Sequence, residues 1–230
     1  MNRYALICRS ILEQAEITQR EMAQRMELSL GTVNQLVKEC LALHYIEVMD
    51  DNHYQVTEDG MKFMEPFKVD GAVIIAAGFG SRFVPLTFET PKGLLEVFGE
   101  RMIERQIRQL HEAGIHNITI VVGYLKEKFE YLKEKYGVIL VETDDYEKKN
   151  NHASVYAARK YLKNTIITSS DLYFTKNIFQ TYAYDAYYCT VFMPGKTAER
   201  GIETDLDDRI LKTMYGDKCY DIWVTLGYAY

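Results

Sequence analysis

The sequence predicts a doubly wound α/β domain with a mostly parallel sheet over residues 69–230, preceded by a small helical module with two short strands over residues 1–68. Three observations lead there. Apolar residues recur at helical spacing through the first part, strands alternate with helices through the second, and the pattern switches between Pro66 and Asp70. Hydrophobic residues make up 47% and charged residues 26% of the 230, so the chain can bury a core in each part.

The small module comes first. Tyr4 to Ala15 sets Leu6, Ile7, Ile11 and Leu12 on one helical stripe. Thr18 stands three residues before Glu21, the capping-box spacing for a helix over 19–26. Leu28-Ser29-Leu30 makes a turn, and Ser29 or Thr32 caps a third helix through Leu43 that faces Val33, Leu36, Val37, Cys40 and Leu41 inward. Ile46 to Met49 and His53 to Val56 read as strands around the polar turn Asp50-Asp51-Asn52. Thr57-Glu58-Asp59-Gly60 leads into a last amphipathic segment. This order resembles a winged helix-turn-helix, and I-T-Q-R-E-M-A-Q-R-M-E-L-S-L-G-T-V-N-Q-L-V-K-E-C-L resembles the MarR-like regulators over about Tyr4 to Phe67. Residues 1–68 hold seven Lys and Arg against eleven Asp and Glu, a net charge of −4. Lys38 is the one cation of the recognition-helix position, and phosphate neutralisation supplies most DNA affinity. DNA is therefore a disfavoured partner, and assembly into an oligomer is the alternative use of the module.

In the second part, Gly71 to Ala76 is a continuous apolar run, as a strand buried on both faces requires. A helix over Met102 to Ala113 ends at Gly114, a strand follows over 117–122, and a helix over 126–136 stops at Gly137. Strands are expected at 138–141, 165–169 and 187–193, with a helix over 153–162. In such a sheet, ligands bind at the carboxyl ends of the strands.

Bulk properties exclude several classes. A net charge of −6 argues against coating nucleic acid. No apolar run reaches 18 residues, and the N-terminus lacks a signal peptide's apolar stretch, so no membrane is expected. Cys8, Cys40, Cys189 and Cys219 are scattered, which suits reduced thiols and a cytoplasmic protein.

The chemistry concentrates after the first buried strand, in A-A-G-F-G-S-R-F-V-P-L-T followed by Pro91-Lys92. Gly78 and Gly80 let the backbone approach a triphosphate with its N–H groups. Ser81 and Arg82 add donors for phosphate oxygens, and Lys92 adds a second cation for charge developing on a transferred phosphoryl group. Asp171 ends the buried strand T-I-I-T-S-S, where a hard cation bridging phosphates finds an oxygen ligand.

That loop with its Pro-Lys resembles the signature of the sugar-nucleotidyltransferase superfamily, whose fold is Rossmann-like. V-V-G-Y-L-K-E-K-F-E-Y-L-K-E-K-Y-G-V, K-N-N-H-A-S-V-Y-A-A and S-S-D-L-Y-F resemble the Lic-type choline-phosphate cytidylyltransferases, closely from Val73 to Asp171 and loosely to Tyr230. The resemblance implies CTP and a phosphorylated small molecule as partners, phosphocholine foremost, with pyrophosphate released and Mg²⁺ as cofactor. It implies that Ala76, Ala77 and Gly78 line the base and ribose site, that Gly80, Ser81, Arg82 and Lys92 hold phosphates, and that Gly123, Tyr124, Asn151 and Ser154 border the cytidine. Asp171 would bind the metal.

Two departures stand out. The stretch Lys196 to Gly201 lacks the aromatic residue that helps box a quaternary ammonium in that subgroup, and it holds Arg200. Tyr182, Tyr184, Tyr187, Tyr188 and Trp223 could rebuild such a cage, while Arg200 would suit a sugar or alditol phosphate. Members of the subgroup also continue past a strand like I-W-V-T-L-G-Y-A-Y to a further acidic metal ligand, so the chain is expected to be incomplete at its C-terminus. A DNA-binding regulator that uses the second domain as a metabolite sensor is the alternative to an enzyme.

Overall fold

The computed structural model describes residues 2–49, 53–144, 151–205, 209–214 and 220–229, the side chains of residues 151 and 220–229 excepted. The chain divides into two compact units, Met1–Lys68 with Tyr182–Asp185, and Val69–Thr181 with Ala186–Tyr230. No helix is long and apolar enough to cross a membrane among the described residues.

The first unit holds α1 (Arg3–Glu13), α2 (Gln19–Arg25), α3 (Leu30–Ala42), β1 (Ile46–Val48), β2 (Tyr54–Val56) and α4 (Glu58–Met64). Side chains start every helix. Asn2 accepts from the amides of Tyr4 and Ala5, Thr18 and Glu21 form a reciprocal capping box, and Ser29 caps α3. Thr32 bonds to the Ser29 hydroxyl at 2.8 Å rather than capping. Ile7, Ile11, Met22, Val33, Leu36, Val37, Cys40, Ile46 and Met64 build one core. Leu12 lies off the buried stripe, 40% exposed. The β1–β2 hairpin pairs Ile46 with Val56 and Val48 with Tyr54, and this is the wing of a winged helix-turn-helix. The wing-tip residues Asp50, Asp51 and Asn52 lie outside the described residues.

Tyr182 and Tyr184 pack against this same core. The Tyr184 ring meets Phe67 edge-on at 5.5 Å and lies under the Arg9 guanidinium at 5.7 Å. Both rings, named from the sequence as possible walls of an acceptor cage, thus pack in the first unit.

The second unit holds β3 (Gly71–Ala76), β4 (Glu96–Val97), β5 (Glu100–Arg101), α5 (Met102–Glu112), β6 (Ile118–Val122), α6 (Tyr131–Tyr136), β7 (Ile139–Glu142), α7 (Asn151–Ala157), β8 (Thr165–Ser169), β9 (Tyr188–Lys196), β10 (Gly201–Thr204), β11 (Ile210–Met214) and β12 (Tyr220–Ala229). The sheet runs β11-β10-β12-β8-β3-β6-β7, with β9 paired to β12. The four strands β8-β3-β6-β7 are parallel and carry the doubly wound part, while every pairing of β12, β9, β10 and β11 is antiparallel. From β3 the chain winds outward through β6 to β7, then returns through α7 to β8 on the other side of β3. The winding therefore reverses between β3 and β8, the place at whose carboxyl ends sheets of this kind bind ligands. Two helices are shorter than periodicity suggests. A 3₁₀ turn over Lys126–Phe129 precedes α6, and another over Arg159–Tyr161 follows α7.

Candidate active site

The loop after β3 folds as three 3₁₀ turns, Ser81–Phe83, Leu86–Phe88 and Lys92–Leu94. Gly80 opens the first with φ +70°, a left-handed conformation that favours glycine. A Cβ there would lie 3.1 Å from Thr87 Cγ2, and the buried Thr87 hydroxyl donates to the Gly80 carbonyl at 3.1 Å. Gly78 is exposed with nothing within 4 Å of a Cβ position, so its backbone stays open to a ligand.

Gly93 makes the decisive approach. A Cβ on it would stand 2.6 Å from Ser170 Cβ and 2.7 Å from Ser170 Oγ. This brings the turn after Pro91 against the end of β8, where the Lys92 ammonium pairs with the Asp171 carboxylate. The side chains are 19% and 32% exposed, so the charges face one another with limited screening. Lys92 also lies over the Phe83 ring at 4.5 Å. The pair bridges the loops that follow β3 and β8.

The other candidate residues lie on several elements of the second unit. Ala76 and Ala77 are buried at the end of β3. The Ala77 carbonyl accepts from the Tyr124 amide at 3.1 Å. Tyr124 also donates its hydroxyl to the Phe88 carbonyl at 3.2 Å, and its ring meets Phe79 at 4.7 Å. Gly123 and Tyr124 thus flank the glycine-rich loop. Ser81 is exposed, and Arg82 reaches Glu199 at 3.5 Å. Those side chains are 79% and 60% exposed, so solvent screens the contact. Ser154 is buried in α7. Tyr187 is half-buried just before β9, and Arg200 is exposed just before β10. The side chains of Asn151 and Trp223 lie outside the described residues.

Residues on α5 escaped the sequence reading. Gln106 is fully buried, and its amide nitrogen donates to the Ser169 carbonyl at 2.9 Å and the Leu172 carbonyl at 2.8 Å. Its amide oxygen accepts from the Thr168 hydroxyl at 3.1 Å. Arg105 and Gln109 both donate to the Phe174 carbonyl, at 2.7 and 3.0 Å. A glutamine between Ile103 and Ile107 on a core face is the signal that could have exposed this role.

Among the described residues no three His, Cys, Asp or Glu side chains gather into a metal-binding group. Asp171 offers one carboxylate, whose Oδ2 meets Lys92 and whose other oxygen suits a hard cation such as Mg²⁺, which takes one or two carboxylates and completes its shell with phosphates and water.

A glycine-rich loop beside an acid–base pair, at the reversal point of an α/β sheet, defines a nucleotide-phosphate-binding domain, here joined to a winged helix. More closely, the chain belongs to the MobA-like NTP transferase domain family, which matches residues 72–210. Residues 7–47 match a winged helix-turn-helix DNA-binding family. A choline-phosphate cytidylyltransferase of Streptococcus pneumoniae is 45% identical over 128 residues, 56% of each chain. A 2-aminoethylphosphonate cytidylyltransferase of Lancefieldella rimae is 40% identical over 163 residues, 69% of this chain and 65% of its own. The structure of a CTP:phosphocholine cytidylyltransferase from Streptococcus pneumoniae superposes with a TM-score of 0.64 at 38% identity, covering 69% of both chains. The chain spans 56% and 65% of the length of those two curated relatives.

Proposed function

We propose that the chain transfers CMP from CTP to phosphocholine, releasing pyrophosphate. The Lys92–Asp171 pair, held at the reversal point beside the glycine-rich loop, carries this reading. Similarity to relatives named for cytidylyl transfer to phosphocholine and to 2-aminoethylphosphonate supports both the nucleotide and an acceptor with a cationic nitrogen near its phosphorus. An acceptor phosphate oxygen attacks the α-phosphorus in line, and the bond from that phosphorus to the pyrophosphate oxygen breaks. No protein nucleophile is required, so positioning and charge neutralisation supply the catalysis. Amides around Gly78 to Ser81 cradle the phosphates, and Lys92 offsets charge that grows on them. Arg82 leaves its solvent-screened contact with Glu199 for a phosphate oxygen, which frees that carboxylate to meet the acceptor's quaternary ammonium. Asp171 would hold Mg²⁺, which when bound draws charge from the phosphate oxygens. Asn151, Ser154, Gly123 and Tyr124 border the cytidine, while Tyr187, Arg200 and Trp223 lie toward the acceptor in this reading. The reaction belongs in the cytoplasm, where CTP is available.

The test is pyrophosphate release from each of the four NTPs against phosphocholine, phosphoethanolamine, 2-aminoethylphosphonate and several sugar phosphates. CTP with phosphocholine is expected to give the highest kcat/KM. A tenfold preference for a sugar or alditol phosphate would overturn the acceptor assignment, and absence of pyrophosphate with every pair would overturn the reaction. The match of residues 7–47 to a DNA-binding family favours a second reading, a regulator that senses a nucleotide. The −4 charge of residues 1–68 favours assembly over DNA, and a salt-dependent duplex titration separates the two.

A further inference from the structure

The segment that carries Asp171 has no regular structure of its own between the end of β8 and Thr181, yet it is stitched to one face of α5. Five hydrogen bonds run from α5 side chains to its carbonyls: Gln106 to Ser169 and Leu172, Arg105 to Phe174 and Thr175, and Gln109 to Phe174. Gln106 is singular among these donors because its two carbonyl partners bracket Asp171 in the chain. Its amide is itself oriented by Thr168, since the oxygen that accepts the Thr168 hydroxyl fixes which end of the amide faces the loop. The residue is fully buried, so a solvent molecule cannot replace these bonds without opening the core. On the other side of the loop, Gly93 leaves Ser170 no room to shift toward the glycine-rich turn. The Ser170 amide donates to the Ile75 carbonyl at 3.0 Å, which ties the loop to β3 as well.

We propose that Gln106 is the positioning residue that sets the Asp171 carboxylate for its cation and its ion pair with Lys92. The inference rests on the reading of Asp171 as a cation ligand. Removing the amide takes the side-chain donor from both carbonyls, leaving Ser169 only its 3.3 Å turn bond from the Leu172 amide, and the cheapest relief is a shift of the very backbone that carries Asp171. A displacement of about 1 Å at a catalytic group can cost about a hundredfold in rate.

Gln106→Met keeps the volume and removes the donors. Its expected phenotype is a tenfold to hundredfold fall in kcat for pyrophosphate release with the KM for CTP within threefold of wild type. Mn²⁺ titrated into the CTP-loaded protein and followed by electron paramagnetic resonance is expected to bind at least fivefold more weakly. Thr168→Val, which takes away only the hydroxyl that orients the amide, is expected to show the same two changes in milder form and serves if the methionine variant does not fold. A variant that folds and keeps both kcat and Mn²⁺ affinity within twofold would overturn the positioning role. So would a loss of kcat with unaltered Mn²⁺ binding. Wild-type protein that turns over while Asp171→Asn still binds Mn²⁺ normally would leave the enzyme reading standing and sink this one. Wild-type protein that neither releases pyrophosphate nor binds Mn²⁺ with CTP would sink both.

Discussion

Lys92 and Asp171 face each other across the loops of two neighbouring strands, each the other's partner before any phosphate arrives. In the proposed reaction both act on charge that builds at the transition state, where losing one electrostatic contact typically costs about 10²–10³ in rate. Lys92→Ala and Asp171→Asn are each expected to lower kcat by that range while far-ultraviolet circular dichroism stays unchanged; near-normal pyrophosphate release by either would remove its role. Gly93→Ala tests the geometry that brings the two together. Its Cβ would stand 2.6 Å from Ser170, so the turn or the end of β8 must move, at a cost of about 1–3 kcal/mol read by thermal unfolding. An alanine variant as stable as wild type would mean that the close approach is easily relieved. Lys92 and Asp171 were legible because their residue types and places beside strands imply phosphate chemistry directly. Gln106 was not, since its meaning lies in carbonyls more than sixty residues away.

At the scale of elements, α5 and α6 are joined through Glu104, a carboxylate only 13% exposed. It accepts from Tyr131 at 2.6 Å, Lys135 at 2.6 Å and Tyr136 at 2.8 Å. Burial alone would raise its pKa, but the bonds from Lys135, Tyr131 and Tyr136 together hold it below the usual carboxylate value. Burial and the Glu104 carboxylate push the Tyr131 hydroxyl up to about 12. A depressed carboxylate pKa adds stability above the unfolded-state value of 4.5, and that stability is lost as pH falls through the folded pKa. Glu104→Gln is therefore expected to cost about 1–3 kcal/mol near neutrality and to flatten the acid limb of the unfolding curve. An unchanged acid limb would show that the network contributes nothing. The parallel strands were legible as apolar runs bounded by glycine, as at Gly71–Ala76. The pairing of β10 with β11 was not, because Ile210–Met214 is short, exposed along most of its length and lacks the strict alternation of a half-buried strand.

For the whole molecule, the question is what a winged helix does in front of a transferase domain. Residues 1–68 carry a net charge of −4, and Glu39 follows Lys38 directly on α3. Binding to random duplex DNA at physiological salt is expected to be weaker than micromolar in a fluorescence titration, and submicromolar affinity would show that its few cations are better placed than their number suggests. The fold of this unit was legible from its caps and stripes, which are local. Its membership was not, because Tyr182 to Asp185 come from far along the chain and no periodicity links them to α1 or Phe67.

That distant segment also bears on how the protein is made. Domains generally fold as units during synthesis, N-terminal ones first. Here the ribosome releases α1 to α4 long before Tyr184, the ring that covers Phe67 and Arg9. The first unit to emerge is not complete until residue 185 has left the tunnel, and until then a nascent chain presents that aromatic face to whatever chaperone or protease is near.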